Sequence, residues 1–378
     1  MKIAKSQKNG KTNANSPFLS FKCLKLGEVE AAWKSSMMTL TELEEAKAHL
    51  QRSPACILDA SSYVGFHTLR GLLDKGYAVH AAVQSNGKHP FPLPFLFFFG
   101  WGLELVCRDW VVLFFGAGKA EMVRRIKEMS CSEERLVVFV VDVLDYHSIL
   151  EALKGCSALF CCLDCSSDGY DEGMADLEVR GVINVVEACA QTESVQKMVF
   201  TSSLTAGIWR ENICSEQDVD ERCWSDAEFC RKKKLWYALA KTQSEQAAWA
   251  LAMDRMVNMV SINAGLILGP SVVHHNPGST MSYLKGAAQM CENGLLAIVD
   301  VKLVVDAHIR ALEEESACGR YFCFNRVLTT EEDAINLATT LTPLIPLPHQ
   351  SQECRHDAVI YQERLRNKKL SKLVEGVV

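Results

Sequence analysis

The sequence lacks an excess of positive charge. Its 378 residues include 40 Lys and Arg against 46 Asp and Glu, which gives a formal net charge of -6. A chain with this balance does not present the basic surface that binds nucleic acid or an anionic membrane. The sequence also lacks an uninterrupted run of about 20 apolar residues, the length needed to cross a bilayer. We therefore expect no nucleic-acid partner and no membrane.

A disulfide framework is missing as well, although the chain contains 16 cysteines. The cysteines are scattered through predicted strands and helices, and no secretory signal precedes them. We therefore expect reduced thiols and a cytoplasmic protein. Cys161, Cys162 and Cys165 lie close together on an apolar strand pattern. They lack the second pair of ligands that a metal site needs, so we interpret them as buried free thiols and predict no metal.

Short apolar segments alternate with helical patterns along most of the chain. Residues 55–58 predict a strand, 59–62 a turn, 63–75 a helix and 78–83 a second strand. Such a succession is a βαβ unit. Further strands are predicted at 136–141, 158–163, 198–200 and 258–262. Strands rich in Val, Ile and Leu that alternate with helices indicate an α/β fold with a doubly wound parallel sheet, the Rossmann architecture.

Three regions follow from this pattern. Residues 1–50 predict an N-terminal extension that is partly disordered, 51–270 the nucleotide-binding Rossmann domain, and 271–378 a smaller substrate-binding region with a C-terminal tail. Residues 88–118 interrupt the Rossmann domain with three prolines and clustered aromatic residues. This insert is longer than ordinary loops. Our hypothesis is that it is translated non-coding sequence, which could prevent folding; a functional flap is the alternative.

Tyr237 and Lys241 are spaced so that they share one face of a predicted helix, about one turn apart. An ammonium group lowers the pKa of a neighbouring phenol from about 10 and favours proton donation. Ser203 ends a predicted strand, at the edge where a doubly wound sheet binds its ligands. The three side chains therefore predict protonation of a carbonyl as it receives a hydride. A chance Tyr-x-x-x-Lys on a helix is the alternative.

Several motifs place these residues in a family. Between about residues 55 and 330, outside the insert, the sequence resembles the extended short-chain dehydrogenase/reductases. Within them it is similar to the plant cinnamoyl-CoA reductase and dihydroflavonol 4-reductase branch, and its tail resembles a divergent cinnamoyl-CoA-reductase-like subgroup. The motifs are VFTSS at 199–203, DERCWSD at 220–226, YALAK at 237–241, SEQAAW at 244–249, LGP at 268–270, DAHI at 306–309 and GRY at 319–321.

The resemblance implies a role for each matched residue. Ser203 would orient the substrate carbonyl, Tyr237 would donate the proton, and Lys241 would hold the nicotinamide ribose. Trp236 and the loop after Pro270 would form the substrate wall. Residues 51–270 would then bind NAD(P). The implied cofactor-binding residues are Asp59, Ser62, Tyr63, Val64, Gly65, Gln84, Asp142, Val143, Cys162, Tyr237 and Lys241.

The turn after the first strand and the end of the second strand depart from the family pattern. The family carries three glycines in the turn after its first strand, where this chain has Asp59, Ser62 and Gly65. A carboxylate at the first position would repel the phosphates of a dinucleotide; the structural alternative is that Asp59 caps the following helix. Gln84 stands where NADP enzymes of this branch usually carry an arginine and NAD enzymes an acid. The absence of an acid favours NADP over NAD.

Together the residues and the resemblance imply an NADP(H)-dependent oxidoreductase. It would reduce a thioester or ketone of a phenylpropanoid-like or flavonoid-like small molecule, as a monomer or homodimer in the cytoplasm. The alternative is a relative whose cofactor site is impaired and which acts as a binding or regulatory protein. The complete Ser203, Tyr237 and Lys241 set favours the enzyme, and the altered turn at Asp59 favours the alternative.

Overall fold

The computed structural model describes residues 53–85, 122–130, 133–164, 169–211, 218–342, 344 and 360–375. All of these residues belong to one unit, Ala48–Val378. The predicted extension at 1–50 and the predicted insert at 88–118 lie outside the described residues.

Parallel strands form a central sheet, as the alternation of strands and helices predicted. The described strands are β1 (Ala55–Leu58), β2 (Val79–Gln84), β3 (Leu136–Val141), β4 (Ala158–Cys161), β5 (Lys197–Ser203), β6 (Met259–Ala264), β7 (Leu266–Leu268), β8 (Ala297–Asp300), β9 (Gly319–Cys323) and β10 (Arg326–Val327). Seven of them pair in the order β3-β2-β1-β4-β5-β6-β9. The chain therefore winds outward in opposite directions from β1 and β4. Ligands bind in the crevice that this reversal leaves at the carboxyl ends of the strands.

Helices cover both faces of the sheet. They are α1 (Tyr63–Asp74), α2 (122–130), α3 (Tyr146–Leu153), α4 (Glu172–Gln191), α5 (Thr205–Ile208), α6 (Ala227–Lys232), α7 (Trp236–Asp254), α8 (Val272–His275), α9 (Pro277–Tyr283), α10 (Ala287–Glu292), α11 (Val301–Glu313), α12 (Glu331–Thr340) and α13 (Lys368–Val374). The remaining three strands form a small sheet in the order β10-β8-β7.

The hydrophobic core is divided by the sheet into two layers. Successive residues of β1 contribute to opposite layers, since Ile57 belongs to the same hydrophobic cluster as Leu69 of α1, and Leu58 belongs to the other cluster, with Val185 of α4. Alternation along a strand explains this arrangement, because neighbouring side chains point to opposite faces. A strand buried on both faces must be apolar throughout, and this requirement made the strands recognisable in the sequence.

The bounds of β5 and α4 differ from the sequence prediction for physical reasons. The apolar strand was predicted at 198–200, but β5 continues to Ser203 because residues 201–203 also pair with β6. Helix α4 was predicted to begin at Asp176. It begins one turn earlier because the Asp171 side chain accepts a hydrogen bond of 2.8 Å from the N–H of Met174 and caps the helix.

Candidate active site

The carboxyl end of β5 and the first two turns of α7 bring the predicted catalytic residues together. Ser203 is the last residue of β5, and Tyr237 and Lys241 lie near the start of α7. Glu245, one turn further along α7, accepts a hydrogen bond of 2.8 Å from Ser202 of β5. The other donors to Glu245 are Ser261, Asn263 and Arg320. This buried network fixes α7 against the sheet beside Ser203.

Ser203 is buried beside Tyr237, and its hydroxyl acts to lower the pKa of that phenol. Its Oγ also accepts hydrogen bonds from the backbone N–H of Thr205 at 3.2 Å and from the hydroxyl of Thr205 at 3.0 Å. Because Oγ already receives two protons, the remaining interaction of this hydroxyl is donation of its own proton. The structure places this serine near the tyrosine with which the sequence predicted it to act.

The phenol of Tyr237 holds its proton more tightly than the sequence predicted. Burial raises the pKa of Tyr237 above its ordinary value, while the ammonium of Lys241 and the hydroxyl of Ser203 act to lower it. The carboxylates of Asp164 and Glu178 raise it further. The net shift in the pKa of Tyr237 is therefore opposite to the prediction, although Lys241 acts in the predicted direction, and the phenol stays protonated at neutral pH.

Lys241 is buried and paired. Its Nζ lies 2.9 Å from Oε1 of Glu178 and donates a hydrogen bond of 3.2 Å to the carbonyl of Leu163. The same atom is 5.6 Å from the centre of the Tyr237 ring. Burial acts to lower the pKa of Lys241, but the carboxylate of Glu178, aided by Tyr237 and Asp164, outweighs burial and raises it. The lysine is therefore charged.

Glu178 and Tyr170 complete a cluster that the sequence reasoning missed. Tyr170 donates a hydrogen bond of 2.6 Å to Oε2 of Glu178, and its ring meets that of Tyr237 edge-on with the centres 5.0 Å apart. Glu178 lies on the buried stripe of α4, between Ala175 and Val182. Helical spacing predicts an apolar residue at such a position. A carboxylate on an apolar stripe was the signal that could have revealed it.

A cleft opens beside these residues, with an empty volume of about 560 Å³ that includes space open to solvent. Residues after Pro270, among them Ser279 and Thr280 of α9, line one wall of the cleft. In this wall the hydroxyl of Ser279 donates a hydrogen bond of 2.7 Å to the carboxylate of Asp164, and Thr280 has a buried hydroxyl without a partner among the described residues. Trp236, the predicted substrate contact, does not line the described cleft and packs against the hydrophobic core.

The turn between β1 and α1 keeps one of the three family glycines. A Cβ at Gly65 would lie 2.1 Å from the carbonyl oxygen of Asp59, so the helix approaches the turn too closely for any other residue. Ser62 caps α1, because its Oγ accepts a hydrogen bond of 3.1 Å from the N–H of Gly65. The interpretation of Asp59 as the cap was wrong. Its carboxylate accepts hydrogen bonds from the N–H and hydroxyl of Ser61 instead.

The same turn supplies groups that fit a dinucleotide phosphate. Tyr63 and Val64 line the cleft, and their N–H groups, the first of α1, have no partner within the helix and suit an anion. Ser62 Oγ donates a hydrogen bond of 2.8 Å to the carbonyl of Cys162 and so joins the ends of β1 and β4. Asp59 is fully buried and does not line the described cleft. The carboxylate of Asp59 would therefore repel the phosphates only across intervening atoms of the protein, without touching them.

The predicted adenosine-binding residues lie at the neighbouring ends of β2 and β3. Gln84 ends β2, and its side-chain oxygen is buried without a partner among the described residues, so it can accept a hydrogen bond from a ligand hydroxyl. Asp142 follows β3 and accepts a hydrogen bond of 2.9 Å from the N–H of Leu144. Val143 is buried against Gly181 of α4. These features fit the adenosine half of a nicotinamide dinucleotide.

The described cysteines are free, and Cys161 and Cys162 are buried, as predicted; Cys165 lies outside the described residues. In the part of the chain that the structure describes, no three His, Cys, Asp or Glu side chains are grouped so that they could hold a metal ion. Within the same ranges, no helix combines the length and the apolar character needed to span a membrane.

Comparisons with known proteins bear on the family and the fold. The NAD(P)H-binding family matches residues 119–223. Cinnamoyl-CoA reductase 1 of Petunia hybrida is 36% identical over 301 residues, which are 78% of this chain and 78% of that protein. Vestitone reductase from alfalfa superimposes with a TM-score of 0.56 at 21% identity, covering 85% of this chain and 92% of that one. For the yeast methylglyoxal/isovaleraldehyde reductase complexed with NADPH, the TM-score is 0.60 at 17% identity, with 86% and 93% covered.

The doubly wound sheet and the relatives together define the class of this protein as NAD(P)-dependent oxidoreductase. The chain belongs to the cinnamoyl-CoA reductase branch of the extended short-chain dehydrogenase/reductase family, as its motifs predicted. The solved structures share the fold at low sequence identity.

Proposed function

We propose that this enzyme reduces a thioester or ketone group of a phenylpropanoid-like or flavonoid-like substrate with NADPH, and that Tyr237 donates the proton. The observation that supports the proposal is that Tyr237 and the charged Lys241 line the same cleft, with Nζ of Lys241 5.6 Å from the centre of the Tyr237 ring and Ser203 buried beside them. The substrate class is supported by the similarity of the chain to a cinnamoyl-CoA reductase.

The three residues act on the carbonyl oxygen of the substrate. Ser203 would donate its proton to that oxygen and so orient the carbonyl. Tyr237 delivers its proton to the oxygen, and the raised pKa of the buried phenol keeps that proton available at neutral pH. The ammonium of Lys241 then stabilises the phenolate that remains. Bound NADPH supplies the hydride.

The cofactor would be held at separated points of the carboxyl edge. The first N–H groups of α1, on Tyr63 and Val64, would bind the phosphates. Gln84 would accept a hydrogen bond from the adenosine ribose, and Lys241 would donate one to the nicotinamide ribose. NADPH is preferred over NADH in this proposal because β2 ends in Gln84. An acidic side chain at this position would repel the ribose phosphate of NADPH, and glutamine does not.

The buried hydroxyl of Thr280 marks the substrate side of the cleft. Since it has no partner among the described residues, it can bond to a polar group of the substrate, such as a ring hydroxyl. Ser279 is held by the carboxylate of Asp164, which ties α9 to the end of β4 and keeps Thr280 in the wall.

Tyr237→Phe tests the proposal. We expect kcat for NADPH oxidation with cinnamoyl-CoA or an aromatic ketone to fall roughly a hundredfold to ten-thousandfold, the usual contribution of a general acid. NADPH affinity, measured by nicotinamide fluorescence, should change little, because the ring of the residue is kept. NADH should bind more weakly than NADPH. Tyr361→Phe, at a tyrosine outside the cleft, is the matched control.

Two results would contradict the proposal. Turnover retained by Tyr237→Phe would remove Tyr237 as the proton donor. Failure of the wild-type protein to bind NADPH or NADH saturably below millimolar concentration would favour the cofactor-impaired alternative.

A further inference from the structure

A buried carboxylate beside Tyr237 has no part in the proposed reaction. Glu178 is 1% exposed and lies within α4. Its Oε1 is 2.9 Å from Nζ of Lys241, and its Oε2 accepts the hydrogen bond of 2.6 Å from Tyr170. Removing a carboxylate from water is costly, so Glu178 is stable in this position only because both of its oxygens have partners.

The partners of Glu178 reach Tyr237 from two directions. Nζ of Lys241 is 5.6 Å from the centre of the Tyr237 ring, and the ring of Tyr170 meets it edge-on at 5.0 Å. Glu178 and the carbonyl of Leu163 engage two of the three protons of the Lys241 ammonium. Because the N–H bonds of an ammonium are tetrahedral, the direction of the third proton is then fixed.

We propose that Glu178 is a positioning residue for the reduction: its carboxylate holds the ammonium of Lys241 and, through Tyr170, the ring of Tyr237 in the arrangement that proton transfer needs. This inference rests on the proposed roles of Tyr237 and Lys241. It assigns to one buried side chain of α4 the placement of both neighbours of the proton donor.

Several ionisable groups face Glu178 and Tyr237 from the elements packed around them. They are Lys241 in α7, Asp164 after β4, Cys161 in β4, Tyr170 before α4 and Tyr283 in α9. Burial is the largest cause of the raised pKa of Tyr237, and the negative charge of Glu178 adds to it. Neutralising Glu178 removes that charge while the ammonium of Lys241 remains, so Tyr237 would lose its proton at a lower pH.

Glu178→Gln removes the charge and keeps the shape of the side chain. We expect kcat with NADPH and cinnamoyl-CoA to fall about tenfold or more, and the alkaline limb of kcat/KM to move about one unit to lower pH. The matched control is Glu187→Gln on the same helix, where Glu187 pairs with Arg255 at 2.9 Å nearer the surface. The control should keep the wild-type kcat and pH profile. A folded Glu178→Gln variant that also keeps both would overturn the proposal.

A second measurement needs no substrate. In protein labelled at the tyrosine ring carbons, the NMR signal of Tyr237 is assigned from its loss in Tyr237→Phe, and its titration is followed in each variant. The midpoint should move to lower pH in Glu178→Gln and stay in place in Glu187→Gln. An unmoved midpoint in Glu178→Gln would overturn the proposal. Turnover retained by Tyr237→Phe would instead defeat the proposed function, while the titration still reports on Glu178.

Tyr170→Phe covers the case in which Glu178→Gln does not fold. It removes one hydroxyl, keeps the ring against Tyr237 and leaves Oε2 of Glu178 without its donor. We expect kcat to fall about tenfold, which corresponds to one lost hydrogen bond to a charged group, at unchanged NADPH affinity. A wild-type kcat in this variant would overturn the proposed link from Glu178 to the Tyr237 ring.

Discussion

Burial sets the charge state of one histidine, His308. His308 of α11 is fully buried, with Nδ1 2.7 Å from the carbonyl of Val304 and Nε2 2.7 Å from Oγ1 of Thr201. Because a carbonyl only accepts, Nδ1 carries the proton, and Nε2 accepts a hydrogen bond from Thr201. Burial lowers the pKa of His308 to about 4, so the ring is neutral at physiological pH and holds Thr201 beside the cleft.

His308 should make the stability of the protein depend on pH. The unfolded side chain has a pKa of about 6.5, and burial lowers the pKa of the folded one to about 4. Between these values the unfolded chain binds the extra proton, so the stabilisation is present above the unfolded pKa and decreases as pH falls toward the folded one. The loss is on the order of 3 kcal/mol.

Denaturant unfolding over a series of pH values measures this effect. We expect His308→Gln to flatten the dependence of the unfolding free energy on pH in that window, because glutamine does not titrate. His147→Gln, at an exposed histidine, should leave the wild-type slope unchanged. Equal slopes in all three proteins would show that His308 is not the titrating group.

Elements are positioned by close backbone contacts, and α1 depends on one of them. Gly65→Ala would place a Cβ 2.1 Å from the carbonyl oxygen of Asp59. The clash is with a backbone atom, which cannot move away without distorting the turn. We therefore expect the free energy of unfolding to fall by about 1–3 kcal/mol. NADPH affinity should fall with it, since the N–H groups of Tyr63 and Val64 move. Thermal denaturation and nicotinamide fluorescence measure the two effects.

Gly173→Ala in the first turn of α4 is the control for this prediction. A Cβ at Gly173 would lie 3.5 Å from Oδ1 of Asp171, which is an ordinary contact. Alanine has the higher helix propensity, so this variant should be as stable as the wild type or slightly more stable. If both glycine variants were equally stable, the close approach at Gly65 would not be what restricts that position.

At the level of the whole molecule, the buried ion pair of Glu245 and Arg320 links parts of the chain that are distant in sequence. Nε of Arg320, on the edge strand β9, lies 2.9 Å from Oε1 of Glu245 on α7, and both side chains are buried. The guanidinium also stacks 3.8 Å from the centre of the Trp224 ring. The pair therefore connects the last strand of the sheet with the helix that carries Tyr237.

Arg320→Met should destabilise the protein by about 3–5 kcal/mol, because it leaves the buried charge of Glu245 without its partner. Adding Glu245→Gln should recover part of this loss, since the second substitution removes the uncompensated charge. Unfolding free energies of the two single variants and the double variant give the coupling between the residues. Arg255→Met, at the surface pair with Glu187, should leave stability almost unchanged. Additive effects at Arg320 and Glu245 would contradict the prediction.

Several features of the site could be predicted because their signals are local. The spacing of Tyr237 and Lys241 follows from the pitch of one helix, and Ser203 follows directly from one strand. Glu178 was missed because α4 was predicted from the spacing of its apolar residues, and a charged residue on the apolar face is not part of that pattern. Asp59 was misassigned because Ser62, three residues later, is the better-placed cap, and only the turn geometry distinguishes them.

The doubly wound sheet and the family were predictable from the residues alone, because strands buried on both faces need continuous apolar runs and the motifs lie in fixed order along the chain. The contacts within the site became known only from the folded chain. The pairing of Glu178 with Lys241, the placement of Ser203 near Tyr237 and the raised pKa of the phenol all depend on contacts between distant segments and on exclusion of water. Neither of these can be read from the order of residues, since both arise only when the chain has packed.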